Sequence, residues 1–296
     1  MNSDDPVGII EISNETLKCL IFKIEDDNFD ILSSSTTPSK GIVNGVIANI
    51  SSSTTAIRSC ISIAEKKAKI SIKKIHVVLE QTDFLCTKFS KQKKIDGSKI
   101  DKDDIDFLLK DAKKQLIHND NDQSIIHIFN HNYVVDGKKF IDEPIGIHAN
   151  FFTHEITFIT MPKNNLKNIN QIFQDCDIEI ERILSSTFAL GTKLLDKNDL
   201  NFGSILIDLG SEKASIGIFK SLALIHSISF PVGTNHITRD LSKVCSLDFD
   251  ESVIIKNNID LTLENNQILF DENNYLKNNY FINSNFRKIS KKLIVD

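Results

Sequence analysis

The sequence of 296 residues contains no tryptophan, two methionines, five prolines and only eleven glycines. So few glycines limit the loops that cradle phosphate, because a side chain restricts positive φ and close backbone approach. The five cysteines (Cys19, Cys60, Cys86, Cys176 and Cys245) are scattered, without a Cys-x-x-Cys pair or a His/Cys cluster. That spacing argues against a compact zinc motif and for free thiols in a reducing compartment. No apolar run reaches the ~20 residues that a spanning helix needs. The opening Met1-Asn2-Ser3-Asp4-Asp5-Pro6 is acidic and has no signal-peptide core, so a cytoplasmic location is expected. A formal net charge of −5 gives no support for nucleic acid as a partner.

What remains is an ordinary globular composition, 41% hydrophobic and 25% charged, in a chain long enough for two or more domains. The stretch Gly203 to Phe219 organises the reading. An apolar run climbs to Asp208, breaks at Gly210, and an alternating run follows. This pattern predicts strand, tight turn, strand, with an acid at the tip. Asp208 reads either as an ordinary turn residue or as a carboxylate that holds a cation through its water, beside backbone N–H groups facing a phosphate. Val7 to Phe22 repeats the pattern, with Glu11 as the acid and Ser13 two positions later. Two acid-tipped hairpins facing each other could clamp the phosphates and metal of a nucleotide.

Between them, Ser33 to Ser39 reads as a Ser/Thr/Pro loop. Ile57, Cys60, Ile61, Ala64 and Ala68 fall at helical spacing, with an N-cap expected from the Ser51–Ser53 run. Lys73 to Leu79 predicts a buried strand in which His76 is a core residue. Lys88 to Lys94 is basic and reads as a solvated loop, or alternatively as a binding patch. Asp101 is placed to cap a helix with the stripe Ile105, Leu108, Leu109, Ala112 and Leu116. Strands are expected at Ile125–Phe129, Tyr133–Val135, Ile145–Phe152 and Glu155–Thr160, with Asp136-Gly137 as a turn. Residues 83–160 therefore form a small α+β insert. His127, His131, His148 and His154 within it match no compact metal motif.

Further on, Leu166, Ile169, Ile172 and Phe173 mark an inward helix face, and Thr187 to Leu195 a second helix. Pro231 to Asp240 reads as a loop feeding a helix N-terminus, which can face a phosphate. Phe249 to Lys256 predicts a short helix and Leu261 to Phe270 a small hairpin. Phe286, Ile289 and Leu293 form a stripe beside Arg287, Lys288, Lys291 and Lys292, read as a packed helix rather than a membrane anchor.

Taken in order, these motifs resemble the bacterial cell-division family FtsA of the actin-like superfamily. The turn at Glu11 looks like the family's first phosphate loop, and Lys40 to Ile47 resembles the segment before a family helix that Ile57 to Glu65 would form. Tyr133 to Gly137 with Glu143 to Gly146 resembles its small 1C domain. Ile207-Asp208-Leu209-Gly210 looks like the second phosphate loop, and Pro231 to Asp240 resembles a family string that normally carries two glycines. The resemblance implies an α/β, actin-like (ribonuclease H-like), two-lobed fold with a small inserted α+β 1C domain of the SHS2 type. Residues 1–82 and 161–198 would form subdomain IA, 83–160 the 1C insert, 199–238 an incomplete IIA and 239–296 an incomplete IIB. It implies ATP and Mg in a cleft touched by Glu11, Ser13, Asn14, Asp208, Gly210, Ser211, Gly233, Thr234 and Lys256, with Asp208 holding Mg through water. Implied partners are FtsZ filaments, later division proteins through 1C, further copies of the chain, and the cytoplasmic face of the inner membrane at the division site. The membrane-targeting helix of the family would follow beyond residue 296, and a chain cut short within IIB is expected.

The departures cluster at the nucleotide. Ser13 stands where a glycine is usual, Ser211-Glu212-Lys213 where glycines and threonine are usual, Thr234 for a second glycine, and Val253 for an acid that usually contacts the ribose. At most a weak ATPase is expected, with no catalytic residue assigned. The alternative reading is a pilus-assembly protein resembling PilM, which shares the small insert; a small-molecule kinase on the same core would need intact phosphate loops.

Overall fold

The computed structural model describes residues 6–25, 28–140, 142–258, 268–271 and 288–290. They fall into two units, one made of Met1–Asp208 with Ala214–Phe230, the other of Leu209–Lys213 with Pro231–Asp296.

The first unit is built on a five-stranded sheet. β1 (Val7–Ile12), β2 (Thr16–Glu25) and β3 (Asn28–Pro38) form an antiparallel meander. β6 (Lys74–Leu79) joins β1 in parallel, and β11 (Glu179–Ser185) joins β6 in parallel, giving the order β11-β6-β1-β2-β3. Period-2 alternation puts Ile10 and Ile12, Ile75, Val77 and Leu79 into one core, all at most 1% exposed. α1 (Ile50–Ala68) delivers Ile57, Cys60, Ile61 and Ala64 to it, and α3 (Lys163–Asp175) delivers Ile169, Ile172 and Phe173.

Two details here differ from the expectations. The cap of α1 is Asn49, whose side chain accepts from Ser52 N at 2.9 Å, while Ser53 Oγ donates to the Lys40 and Gly41 carbonyls. Ser33 to Pro38 is strand, not loop. Ser33 and Ser35 face α1, and their hydroxyls donate to Ala64 O and Cys60 O at 2.8 and 2.7 Å, so buried serines tie strand to helix. The hairpin of β4 (Ile42–Val43) and β5 (Val46–Ile47) turns through Asn44 and Gly45, both at positive φ.

The second sheet of this unit runs β7-β10-β8-β9, from β7 (Leu85–Lys94), β8 (Gln123–Val135), β9 (Lys138–Phe140) and β10 (Phe151–Pro162), with α2 (Lys102–Asn119) against it. Asp101 caps α2 in a capping box with Asp104, and Ile105, Leu108, Ala112 and Leu116 are buried. The basic stretch is strand rather than loop: Lys91 and Lys93 pair with Asp111 and Asp104 of α2, so alternate lysines bind the helix. Burial pushes the Asp104 carboxyl up, but the Lys93 ammonium and the Asp101 N–H outweigh it and hold the group below the ordinary carboxylate value. Ile125–Phe129 and Tyr133–Val135 are one strand. Shifts of register opposite Glu155/Ile156 and Ile159/Thr160 absorb the extra residues as bulges that the sequence does not announce. Ile145–Asn150 is not strand, whereas Asp136 and Gly137 make the expected turn at φ 44° and 84°.

α4 (Ser186–Leu194) and α5 (Lys197–Phe202) lead into a three-stranded sheet of β12 (Ser204–Leu209), β13 (Ala214–Lys220) and β14 (Ala223–Phe230) in the order β12-β13-β14. This is the predicted strand, turn and strand around Asp208, with Phe219 and Leu224 buried against Ile159.

In the second unit, α6 (Thr234–Cys245) begins inside the string expected to be a loop, and α7 (Phe249–Asn258) follows. β15 (Ile268–Asp271) pairs antiparallel with β16 (Lys288–Ser290). The helix expected around Ile289 is therefore a strand there, in keeping with the β-branched side chain of Ile289. The rest of that stripe and residues 261–267 of the expected hairpin lie outside the described residues.

One position tests the backbone argument. Gly45 has φ +73°, and an added Cβ would lie 1.8 Å from Glu80 O. Gly45→Ala is expected to destabilise the first unit by about 3 kcal/mol or more, the sum of left-handed strain and overpacking, measured by urea unfolding.

Candidate functional site

The predicted site residues fall in both units. In the first, Glu11 lies within β1 directly opposite Lys18 of β2, and the two form an ion pair of 2.9 Å. The turn beyond it closes on itself: Ser13 N and Oγ both donate to Thr16 O, at 3.2 and 2.8 Å, and Thr16 N donates back to Ser13 Oγ at 3.3 Å. The hydroxyl that a glycine would lack thus does the work of a turn-forming group. Asn14 Oδ1 is buried without a hydrogen-bond partner among the described residues. Asp208, near the end of β12, is half-buried and has no hydrogen-bond or ion-pair partner among the described residues.

In the second unit Gly210, Ser211, Gly233, Thr234 and Lys256 come together. Thr234 N donates to Gly210 O at 3.0 Å, and Asn235 N donates to Ser211 O at 2.8 Å. His236 N turns back to Gly233 O at 3.0 Å. The N–H groups of the first turn of α6, free at an uncapped helix end, therefore already have acceptors. Gly233 makes this possible, since a Cβ there would sit 2.4 Å from the Ser211 carbonyl carbon and oxygen. Lys256 Nζ reaches Thr234 O at 3.5 Å.

Side chains reinforce the closure. Glu212 accepts from Arg239 Nη1 and Nη2 at 3.1 and 3.0 Å in a bidentate pair, and from Asn235 Nδ2 at 3.0 Å. The Arg239 guanidinium, against the upward push of burial, holds the Glu212 carboxyl below the ordinary carboxylate value. Asn235 and Arg239 stand four apart on one helix face, a spacing readable in the sequence. Only the fold shows that the acid between them in space is Glu212. As arranged, the loop 210–213 and α6 do not offer their helix-terminal donors to a phosphate, because the loop's own carbonyls hold them. The fit to a polyphosphate at this terminus therefore requires the loop to move.

The strand order and directions of the five-stranded sheet are those of a ribonuclease H-like domain, and the fold class is actin-like α/β with a small inserted α+β domain. The fold matches that of a solved "PilM-PilN type IV pilus biogenesis complex" with a TM-score of 0.63 at 9% identity, over 85% of this chain and 69% of that one. The particular likeness is to FtsA. Residues 83–160 match the family described as "SHS2 domain inserted in FTSA". The chain is 25% identical over 251 residues to the cell division protein FtsA of Neisseria meningitidis, covering 84% of this chain and 60% of that protein. It is 26% identical over 242 residues to FtsA of Streptococcus pneumoniae, covering 79% and 51%. The chain thus spans between half and three-fifths of the length of these curated relatives. Among the described residues no helix is long and apolar enough to cross a membrane.

Arg239→Gln is expected to raise the Glu212 pKa toward the ordinary carboxylate value, read from its carboxyl carbon in an NMR titration. A depressed folded-state pKa stabilises the native state above the ordinary value and stops doing so as pH falls through the depressed one. Acid should therefore loosen the loop of the unaltered protein at lower pH than that of the variant. Gly233→Ala is expected to cost about 2 kcal/mol in urea unfolding through the clash with Ser211.

Proposed function

We propose that the chain acts in cell division as an FtsA-type adaptor, linking FtsZ filaments to the cytoplasmic face of the inner membrane and recruiting later division proteins. The observation that carries this reading is the match of residues 83–160 to the SHS2 domain inserted in FtsA, within a sequence likeness that extends over most of the chain. The likeness to the PilM-PilN structure, at 9% identity, supports the fold and adds nothing for a pilus role. In this reading ATP with Mg regulates self-assembly and is not rapidly turned over. Glu11, Ser13, Asn14, Asp208, Gly210, Ser211, Gly233, Thr234 and Lys256 would contact the nucleotide, and Asp208 would hold Mg through water. The geometry of the 210–213 loop supports weak binding, since phosphate must displace contacts that Glu212 and two backbone carbonyls already satisfy.

Glu212→Gly removes the carboxylate and its hold on Arg239. It is expected to tighten MgATP binding about tenfold, roughly the worth of one charge-assisted hydrogen bond, measured by calorimetry. Phosphate release at saturating MgATP should stay well below about 1 s⁻¹, the low end of ordinary enzyme rates. Equal affinity of variant and parent, or turnover at or above that rate, would remove the regulatory reading.

A further inference from the structure

Within the first unit, the face of the β7-β10-β8-β9 sheet away from α2 borders a cavity of about 740 Å³. Its wall is completed by the end of α5 and by residues of β13 and β14. Three lysines reach it, Lys88, Lys139 and Lys220, against one acid, Glu155. Glu155 is already engaged. It accepts from Asn132 Nδ2 at 2.8 Å and lies 3.9 Å from Lys139 Nζ, which offsets its charge. Lys88 and Lys220 have no ion-pair partner among the described residues, so the cavity carries about two uncompensated positive charges in a chain of net charge −5. His131 lines the cavity at 4% exposure, and its Nε2 lies 3.9 Å from Glu155 Oε2, so the imidazole helps to occupy the one acid of the wall. Beside these donors stand Ile225 and the Phe202 ring, 78% exposed.

We propose that this cavity binds a phosphate monoester. Such a group carries about −1.5 to −2 charges at neutral pH and three acceptor oxygens, matching the two free ammonium groups of Lys88 and Lys220. The Phe202 face then receives the organic part of the ester. The site is separate from the Glu212 loop and does not depend on the adaptor reading.

The test is calorimetric titration of the full chain with phenyl phosphate, inorganic phosphate and phenyl sulfate, a monoanion of similar shape. Saturable binding of phenyl phosphate is expected, about tenfold tighter than phenyl sulfate. Lys88→Gln and Lys220→Gln should each weaken it about tenfold, Lys220→Arg should preserve it, and the exposed Lys114→Gln on α2 should leave it unchanged. Phe202→Ala should abolish the preference for phenyl phosphate over inorganic phosphate. Thermal melts of every variant report whether the fold is intact. Absence of saturable binding at millimolar ligand would overturn the proposal. So would equal loss in Lys114→Gln, or full affinity in folded Lys88→Gln and Lys220→Gln proteins.

Discussion

The closure of the 210–213 loop on the first turn of α6 sets what the second unit can do. Two backbone N–H groups that define the positive end of a helix are spent on Gly210 O and Ser211 O. That arrangement requires a residue without a Cβ at 233, and the sequence supplies it. Glu212 then brings its own negative charge to the helix end, where Arg239 and Asn235 fix it. A carboxylate near a helix N-terminus is electrostatically favoured, as a phosphate would be. The loop residues that depart from the family pattern are thus not simply lost glycines. They form a self-contained structure with its own satisfied donors and acceptors.

The same economy recurs in the first unit. The turn after Glu11 is closed by the Ser13 hydroxyl, and Glu11 is held by Lys18 across the strand pair. Where glycine is scarce, hydroxyl, carboxylate and ammonium groups take over the shaping of turns and edges. Ser33 and Ser35 on β3, and Lys91 and Lys93 on β7, follow this rule at the two sheets.

That rule explains what could be read from the sequence and what could not. Features decided by local spacing were legible: the α1 and α2 stripes, the Asp101 cap, the Asp136-Gly137 turn, and the strands either side of the turn at Gly210. Features decided by a distant partner were not. Serines in β3 read as loop until the carbonyls of α1, some thirty residues on, are placed above them. The lysines of β7 read as solvated until Asp104 and Asp111 appear opposite. The bulges that join two expected strands into β8 exist only relative to β10. At the candidate site, Asp208, Gly210 and Gly233 were marked by motif, whereas the Glu212–Arg239 contact needed the fold.

Binding to FtsZ filaments is read by co-sedimentation. FtsZ filaments assembled with GTP are pelleted with increasing amounts of this chain, in the presence and absence of MgATP. Saturable co-sedimentation that competes with an authentic FtsA is expected. A folded chain that stays in the supernatant at all concentrations would contradict the adaptor reading.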